Sequence, residues 1–253
     1  MTKSKRNFST RCRPGLGTLI RVQVDNEELI EPLYARIAAI EALFNFHDPS
    51  SELRRYNDNT LIPLSDEFQK LMSVALELRQ LSHGAFTPYV MEQKGQHLAD
   101  IGSAVVDFGG LAKGFAVDEA VSLALALDPE AQGFVEAGGD IRYFGQAEAM
   151  IQLRLGVPPQ IMTRELRVAG DFMSVATSSP GMAAEFGETS TQLREGIWPK
   201  GSSITVVAKN CMLADALTKV MLFGGAKEFA AFRGEAQALV FDAEGQLLES
   251  GMS

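Results

Sequence analysis

The sequence predicts an α+β fold in which mixed, mainly antiparallel sheets are flanked by helices. Helix-like and strand-like segments follow one another without the regular strand–helix–strand rhythm of a parallel sheet. The 253 residues are 46% hydrophobic, which is enough to bury a sizeable core. We therefore expect one globular domain over residues 15–253, preceded by a flexible arm over residues 1–14.

Composition and charge exclude several classes of partner. The net charge of −9 and the isoelectric point of about 4.9 give a surface that nucleic acid and anionic membranes would repel. The two cysteines, Cys12 and Cys211, are far apart and lack a zinc-ligand spacing, so neither a disulfide framework nor a zinc site is indicated. The N-terminus lacks the apolar run of a signal peptide, and no segment is long enough to span a bilayer. We expect a cytoplasmic protein with no nucleic-acid partner and no membrane insertion.

The N-terminal third is predicted to contain one strand and three helical segments. Residues 19–24 alternate in polarity as a strand does, and residues 27–46 repeat apolar side chains at three- and four-residue spacing. Residues 51–57 are typical of a short helical turn. Ser65 is the predicted N-cap of the next helix, which continues to residue 82 and stops at His83-Gly84.

The central stretch 107–120, DFGGLAKGFAVDEA, follows a short predicted strand at 104–106 and opens a helix predicted over 113–127. The two glycines allow a close approach of the backbone, and the N-terminus of a helix favours phosphate. Lys113 adds a positive charge in the first helical turn. The stretch predicts an anion cradle, although a glycine turn before a helix is also a common structural feature. Asp118 and Glu119, further along this helix, are expected on a solvated face.

The C-terminal half is predicted to consist mainly of strands. They are expected at 134–137, 149–155, 166–168, 172–177 and 203–208, with a long loop over 178–201, a helix at 213–223 and a closing hairpin of 237–242 and 246–250.

Six separated blocks resemble, in this order, the FAD:protein FMN transferase (ApbE-type) family. They are HDPSSELRRYN at 47–57, GAF at 84–86, DFGGLAKGFAVD at 107–118, EAGGDI at 136–141, SVATSS at 174–179 and ADALTKVMLFGG at 214–225. The blocks that begin at Asp107 and Ala214 are the specific ones. The resemblance covers most of the chain from Gly15 to Gly225 and implies an ApbE-like domain.

The resemblance implies an enzyme that moves FMN from FAD to a Thr or Ser hydroxyl of a target protein and releases AMP, with Mg²⁺ near the pyrophosphate. Asp215 and Lys113 would be the principal catalytic groups, and Gly110, Asp215 and Lys219 occupy the positions around the metal. The positions implied to contact FAD are Leu16, His47, Ala85, Phe86, Thr87, Asp107, Lys113, Gly138, Gly139, Asp140 and Thr177. Phosphoanhydride transfer needs neutralised phosphate oxygens and a positioned hydroxyl, and a metal, a carboxylate and a lysine supply these.

The main departure from the family is Lys219, which stands where the family has a metal-binding Thr. An ammonium repels a divalent cation and can take its place beside Asp215. Alternatively, Asp215 and Lys219 are an ordinary i, i+4 helix pair worth about 0.2–0.5 kcal/mol. If Asp215 faces the groove, native metal binding is predicted to be weak, and Lys219→Thr is predicted to raise it.

Other departures affect the flavin pocket and the nucleotide side. The family's HxxDP-type segment is not recognisable between the SVATSS block and the strand at 203–208, and that loop contains no His. His47 stands where the family usually has a Tyr, and a loop or capping role is the alternative for it. Thr87 replaces a preferred Asp, and Leu16 replaces a preferred Met. A second hypothesis is therefore a flavin- or nucleotide-binding, or protein-interaction, module that keeps the scaffold and has lost transfer.

Overall fold

The computed structural model describes residues 6–60, 63–91, 104–155, 161–179 and 196–250. Its strands are β1 (Ser9–Gly15), β2 (Thr18–Val24), β3 (Tyr89–Met91), β4 (Ala104–Val106), β5 (Gly133–Ala137), β6 (Asp140–Phe144), β7 (Glu148–Leu155), β8 (Met162–Ala169), β9 (Ser174–Ser178), β10 (Ser203–Ala208), β11 (Ala236–Phe241) and β12 (Leu247–Ser250). Its helices are α1 (Ile30–Phe44), α2 (Glu52–Asn57), α3 (Asp66–Leu81), α4 (Ala112–Leu127), α5 (Cys211–Gly224) and α6 (Ala226–Phe229), with 3-10 turns at Glu27–Leu29 and Ala230–Phe232.

An eight-stranded antiparallel sheet forms the centre of the structure. Its strand order is β1-β2-β5-β6-β9-β10-β11-β12, so neighbours in the sheet are often far apart in sequence. Two further pairs, β3 with β4 and β7 with β8, form separate two-stranded antiparallel sheets. The predicted α+β class with mainly antiparallel sheets is confirmed.

The two faces of the central sheet are covered differently. Alternate strand residues such as Val135 and Val206 point into a large core shared with α1, α3, α4 and α5. Their neighbours in sequence, Phe134 and Val207, point to the opposite face, where a smaller core lies against the β7–β8 hairpin. The helical layer therefore occupies one face, and it contains the residues predicted to bind phosphate.

Most predicted elements are present with boundaries shifted by a few residues. The helix predicted over 27–46 is a 3-10 turn followed by α1, and Ser65 caps α3 by accepting a hydrogen bond from the Phe68 N–H, as predicted. His83 and Gly84 both have positive φ, 50° and 82°, and end that helix. Residues 180–195 of the predicted long loop lie outside the described residues. No helix in the described ranges is long and apolar enough to cross a membrane.

Three strands were not predicted from the sequence. β1 lies within the expected flexible arm, so the expectation of an arm is wrong over residues 9–14. Its polar sequence alternates little, and it is held by backbone pairing with β2 and by ion pairs such as Arg11–Glu27 at 2.6 Å. β3 is too short to show a pattern. β6 begins directly after Gly138-Gly139, whose φ values of 61° and 97° make the two-residue turn that pairs Ala137 with Asp140.

Helices α4 and α5 approach each other closely at Gly114. A Cβ atom built there would lie 2.5 Å from the carbonyl oxygen of Cys211 and 2.6 Å from the Cα atom of Met212. Both atoms belong to the backbone at the start of α5, so neither can rotate away. The absence of a side chain at Gly114 is therefore a condition of this helix packing.

We expect Gly114→Ala to lower the free energy of unfolding by about 1–3 kcal/mol, the usual range for overpacking a rigid contact. In an open helix the same change would instead stabilise the protein by about 1 kcal/mol. Urea unfolding followed by circular dichroism measures the difference. Ala126→Ser is the matched control, since it adds one heavy atom to an exposed position of the same helix and is expected to cost about 0.5 kcal/mol. A stabilised Gly114→Ala protein would contradict the close packing.

Candidate functional site

Four charged side chains from α4, α5 and β6 meet at one place in the structure. The Lys113 ammonium group binds Asp140 Oδ2 and lies 3.5 Å from Asp215 Oδ2, while the Lys219 ammonium group binds Asp215 Oδ1. We call these four residues, Asp140, Lys113, Asp215 and Lys219, the central charge cluster. Two positive and two negative charges alternate along it, so it is neutral as a whole.

Local structure explains why these four side chains converge. Lys113 lies in the first turn of α4, directly after the Gly109-Gly110 turn. Asp140 is the first residue after the Gly138-Gly139 turn. Asp215 and Lys219 are one turn apart on α5, and their side chains share a face of that helix. Lys113 and Asp140 are thus placed by the start of an element directly after a glycine turn, whereas Asp215 and Lys219 lie further along α5.

The N-terminus of α5 is fixed by Asp118 of α4. Asp118 Oδ1 accepts from the Cys211 N–H at 2.9 Å, Oδ2 accepts from the Met212 N–H at 2.8 Å, and Arg142 Nη1 donates to Oδ1 at 2.6 Å. Asn210 caps the same helix by accepting from the Leu213 N–H at 2.8 Å. Three N–H groups that a helix start leaves open are satisfied in this way.

The expectation that Asp118 and Glu119 lie on a solvated face is therefore wrong. Asp118 is only 9% exposed, and burial raises the pKa of its carboxyl, with Arg142 acting in the opposite direction. Glu119 receives hydrogen bonds from Arg36 and Lys70. Both carboxylates have partners that come from elements distant in sequence, which the local pattern of α4 could not show.

Burial and charge act against each other within the central charge cluster. Asp215 is fully buried and Asp140 is 3% exposed. Burial raises the pKa of the Asp140 carboxyl, with Lys113 opposing and Asp215 adding to the rise. Burial acts in the same direction on Asp215, but the ammonium groups of Lys113 and Lys219 outweigh it and hold its pKa below the usual value. Burial also opposes the charged form of Lys113, yet Asp140 and Asp215 raise its pKa. Lys113 therefore stays charged because two carboxylates face it.

Two hydroxyl groups complete the surroundings of Lys219. Thr218 Oγ1 donates to the Asp215 carbonyl oxygen at 2.7 Å and lies 2.7 Å from Ser178 Oγ, and Lys219 Nζ donates to Ser178 Oγ at 3.3 Å. Because the one Thr218 proton is used, Ser178 donates to Thr218 and turns a lone pair toward Lys219. The Lys219 stem passes Gly110, where a Cβ would lie 3.5 Å from Lys219 Cε.

Other predicted site residues lie in two neighbouring groups. Phe86 contacts Gly110, since a Cβ there would be 3.4 Å from its ring, and Ala85 is buried beside it in sequence. Leu16 lies in the β1–β2 turn and has a φ of 53°. This turn is close to the β5–β6 turn, since a Cβ atom at Gly138 would lie 2.8 Å from Thr18 Oγ1. An open cleft of about 720 Å³ is lined here by Pro14, Gly15, Gly17, Thr18, Leu19 and Glu41.

The remaining predicted residues use their polar groups within the fold. Asp107 is buried and accepts from the Gly109 N–H at 2.8 Å; burial raises its pKa, while this bond and the charge of His47 oppose the rise. Thr87 accepts from the Tyr89 N–H at 3.2 Å. Thr177 Oγ1 pairs with Thr205 Oγ1 at 3.0 Å.

Three residues of the site were missed by the sequence reasoning: Asp118, Ser178 and Thr218. The SVATSS block pointed to Thr177, but Ser178, the next residue, is the one that contacts α5. The choice between them depends on which face of β9 meets the helix. Sequence spacing alone could not decide it.

The donor set around Asp215 does not fit Mg²⁺. Magnesium needs oxygen donors in octahedral geometry, whereas each oxygen of Asp215 already faces an ammonium group. Within the described ranges, no group of three or more His, Cys, Asp or Glu residues is placed to hold a metal ion. Two lysine side chains that are 31% and 19% exposed instead offer hydrogen bonds to an anion.

Comparison with known protein families shows which family the sequence of this chain matches. The ApbE family model matches residues 16–94 and 90–240, which together span most of the chain. A comparison with curated proteins finds no match.

Solved structures share the fold over nearly the whole chain. An ApbE protein of Thermotoga maritima is 22% identical with a TM-score of 0.74, covering 95% of this chain and 96% of its own. The flavinyl transferase ApbE of Pseudomonas stutzeri, in apo form, is 20% identical with a TM-score of 0.69 and coverages of 97% and 94%. The flavin transferase ApbE of Vibrio cholerae is 16% identical with a TM-score of 0.63 and covers 96% of each chain.

Asp118→Asn is expected to lower the free energy of unfolding by about 2–4 kcal/mol, because it removes one charge of a largely buried ion pair and turns an amide donor toward a backbone N–H. Chemical denaturation measures the loss. Asp171→Asn, at an exposed position between β8 and β9, is the control and is expected to change nothing. Equal unfolding midpoints for the two variants would show that Asp118 does not hold the start of α5.

Proposed function

This chain belongs to the ApbE family, and we propose that it binds FAD and transfers FMN from it to a Thr or Ser hydroxyl of a target protein, with release of AMP. The observation that carries the proposal is the central charge cluster at the start of α4. It supplies two positively charged, partly exposed lysine side chains beside a glycine turn. The solved flavin transferases that share the fold support the same reaction class.

In the proposed reaction, the acceptor hydroxyl oxygen bonds to the phosphorus that carries the FMN part. The bond between this phosphorus and the bridging oxygen breaks, AMP leaves with that oxygen, and the proton of the hydroxyl passes to water. Negative charge grows on the departing phosphate oxygens, and preorganised positive groups stabilise it. Lys113 and Lys219 are these groups, and Asp215 fixes both of them.

The other predicted contacts extend the proposed FAD site on two sides of the cluster. Phe86 and Asp107 lie beside the Gly109-Gly110 turn. We propose that Ala85 and Thr87, which flank Phe86 in sequence, belong to the same side, and that His47 does so through its charge interaction with Asp107. The turn that contains Leu16 borders the open cleft, and Gly138 lies against Thr18, one of the residues that line it. A dinucleotide is long enough to need such an extended surface, whereas a single phosphate is not.

A second candidate function is binding of FAD or a nucleotide without transfer. The ammonium of Lys219 on Asp215 favours it, since the donors do not fit Mg²⁺. The absence of His from the segment between β9 and β10 favours it as well. The two functions share the ligand and differ in whether a covalent flavin–protein product forms.

Lys113→Met is expected to weaken FAD binding at least tenfold, because a charge-assisted hydrogen bond is worth about 1.5–3 kcal/mol. Quenching of flavin fluorescence on titration measures the dissociation constant. Lys227→Met is the matched control, as it removes one positive charge from a side chain that is 89% exposed. Lys113→Arg keeps the charge and shows whether a loss comes from misfolding of the cluster. Equal affinities for Lys113→Met and the control would contradict a phosphate role for Lys113.

Transfer is tested with the same protein, FAD and targets that carry an acceptor Thr. A fluorescent flavin band on the denatured target is the expected product, and Lys113→Met is expected to reduce it. FAD binding with no band across several targets and divalent metals would favour the second candidate. No binding of FAD, FMN, ADP or AMP by the wild-type protein would contradict both functions.

A further inference from the structure

We propose that the Lys219 ammonium group occupies the place of a divalent cation, so that two lysines and no metal hold the diphosphate of the bound dinucleotide. This inference rests on the proposed function, because FAD is the ligand assumed. It concerns how the ligand is held and whether metal is needed.

The first support is the coordination of Lys219 by oxygen. An ammonium group has three N–H donors. Two of them point to Asp215 Oδ1 and Ser178 Oγ, a carboxylate and a hydroxyl oxygen of the kind that surround a hard cation. Among the described residues these are its hydrogen-bond partners, and the side chain is 19% exposed. The third N–H is therefore available to a ligand oxygen.

The second support is the direction of the hydroxyl network. Thr218 donates to the carbonyl oxygen of Asp215, so Ser178 must donate to Thr218 and accept from Lys219. The two oxygens that face the ammonium group are therefore both acceptors: the Asp215 carboxylate oxygen by its chemistry, and the Ser178 oxygen because its proton is donated to Thr218. This polar network is built to receive a positive charge, and Lys219 supplies that charge from within the chain.

The third support is the bridging position of Asp215. One of its oxygens binds Lys219 and the other faces Lys113 at 3.5 Å, so one buried carboxylate sets two ammonium groups side by side. A diphosphate presents oxygens on two adjacent phosphorus atoms, and two neighbouring cations suit it. A metal ion would have to displace an ammonium from Asp215 and would then lie next to a second positive charge.

The Lys219 stem also fills space near the glycine turn. Its Cδ and Cε atoms would lie 3.7 and 3.5 Å from a Cβ at Gly110. The side chain therefore lies against the turn, and the hydrogen bonds of its ammonium group to Asp215 and Ser178 hold the charge in the site.

Titration of the full chain with FAD tests the proposal, once with EDTA and once with excess Mg²⁺. The wild-type protein is expected to bind equally well in both. Lys219→Thr is expected to bind about tenfold more weakly in EDTA, a loss of about 1.4 kcal/mol, and to regain affinity when Mg²⁺ is added. Lys219→Arg keeps the charge and is expected to remain independent of metal, and Lys227→Met is the surface control.

A second readout does not depend on FAD. Mn²⁺ binding to the ligand-free protein is measured by electron paramagnetic resonance, with no binding expected for wild type and binding expected for Lys219→Thr. Thermal unfolding of each variant confirms that it is folded.

The outcomes separate this inference from the proposed function. FAD binding by the wild-type protein that EDTA abolishes, or tight Mn²⁺ binding by its ligand-free form, would overturn the lysine replacement and leave the FAD site standing. Unchanged, metal-independent FAD binding by Lys219→Thr would also overturn it, since Lys219 would then not touch the ligand. No FAD binding under either condition would overturn both.

Discussion

The arrangement of this protein depends on two carboxylates that are removed from water. Asp215 is fully buried and Asp140 nearly so, and a buried carboxylate stays charged only if cations and hydrogen bonds replace its hydration. Lys113 and Lys219 supply these cations, and each comes from a different helix, α4 or α5, at a defined position along it. The cluster thus requires that α4, α5 and the β5–β6 turn be positioned together to within hydrogen-bond distances.

Helix α4 performs that positioning and also supplies one of the charges. Its first turn carries Lys113, its next residue Gly114 lets the start of α5 approach, and Asp118 one turn later binds the backbone of that start. Because these features follow one another on one short stretch, the contact between the helices and the contact between the charges are set by the same segment. This explains why the block beginning at Asp107 is so specific: several of its residues have separate physical tasks.

Much of this architecture was visible in the sequence, and the missing parts share a cause. Apolar spacing located α1, α3, α4 and α5, because helices that cover one face of a sheet carry a periodic apolar stripe. The motif blocks brought together Lys113, Asp140, Asp215 and Lys219. β1 was missed because it is polar and held by backbone pairing. Asp118 was missed because the backbone N–H groups that it binds are more than ninety residues away. Apolar periodicity predicts which face of one element is buried. It does not predict which N–H group, distant in sequence, a carboxylate on that element will bind.

Asp215 and Lys219 show how burial changes the energetic contribution of an i, i+4 ion pair. On an exposed helix this i, i+4 pair would contribute about 0.2–0.5 kcal/mol and say little about function. Here Asp215 has no exposed surface, and removal of one partner of a buried pair commonly costs about 3–5 kcal/mol, so Lys219 is a structural requirement of this site. A purely structural role, however, would not require the Lys219 side chain to be exposed to solvent at all. The Lys219 side chain also bonds Ser178 and is partly exposed, so an anion is the ligand that would suit its remaining N–H group. Under the proposed function, the same lysine would both neutralise Asp215 and hold a phosphate of FAD.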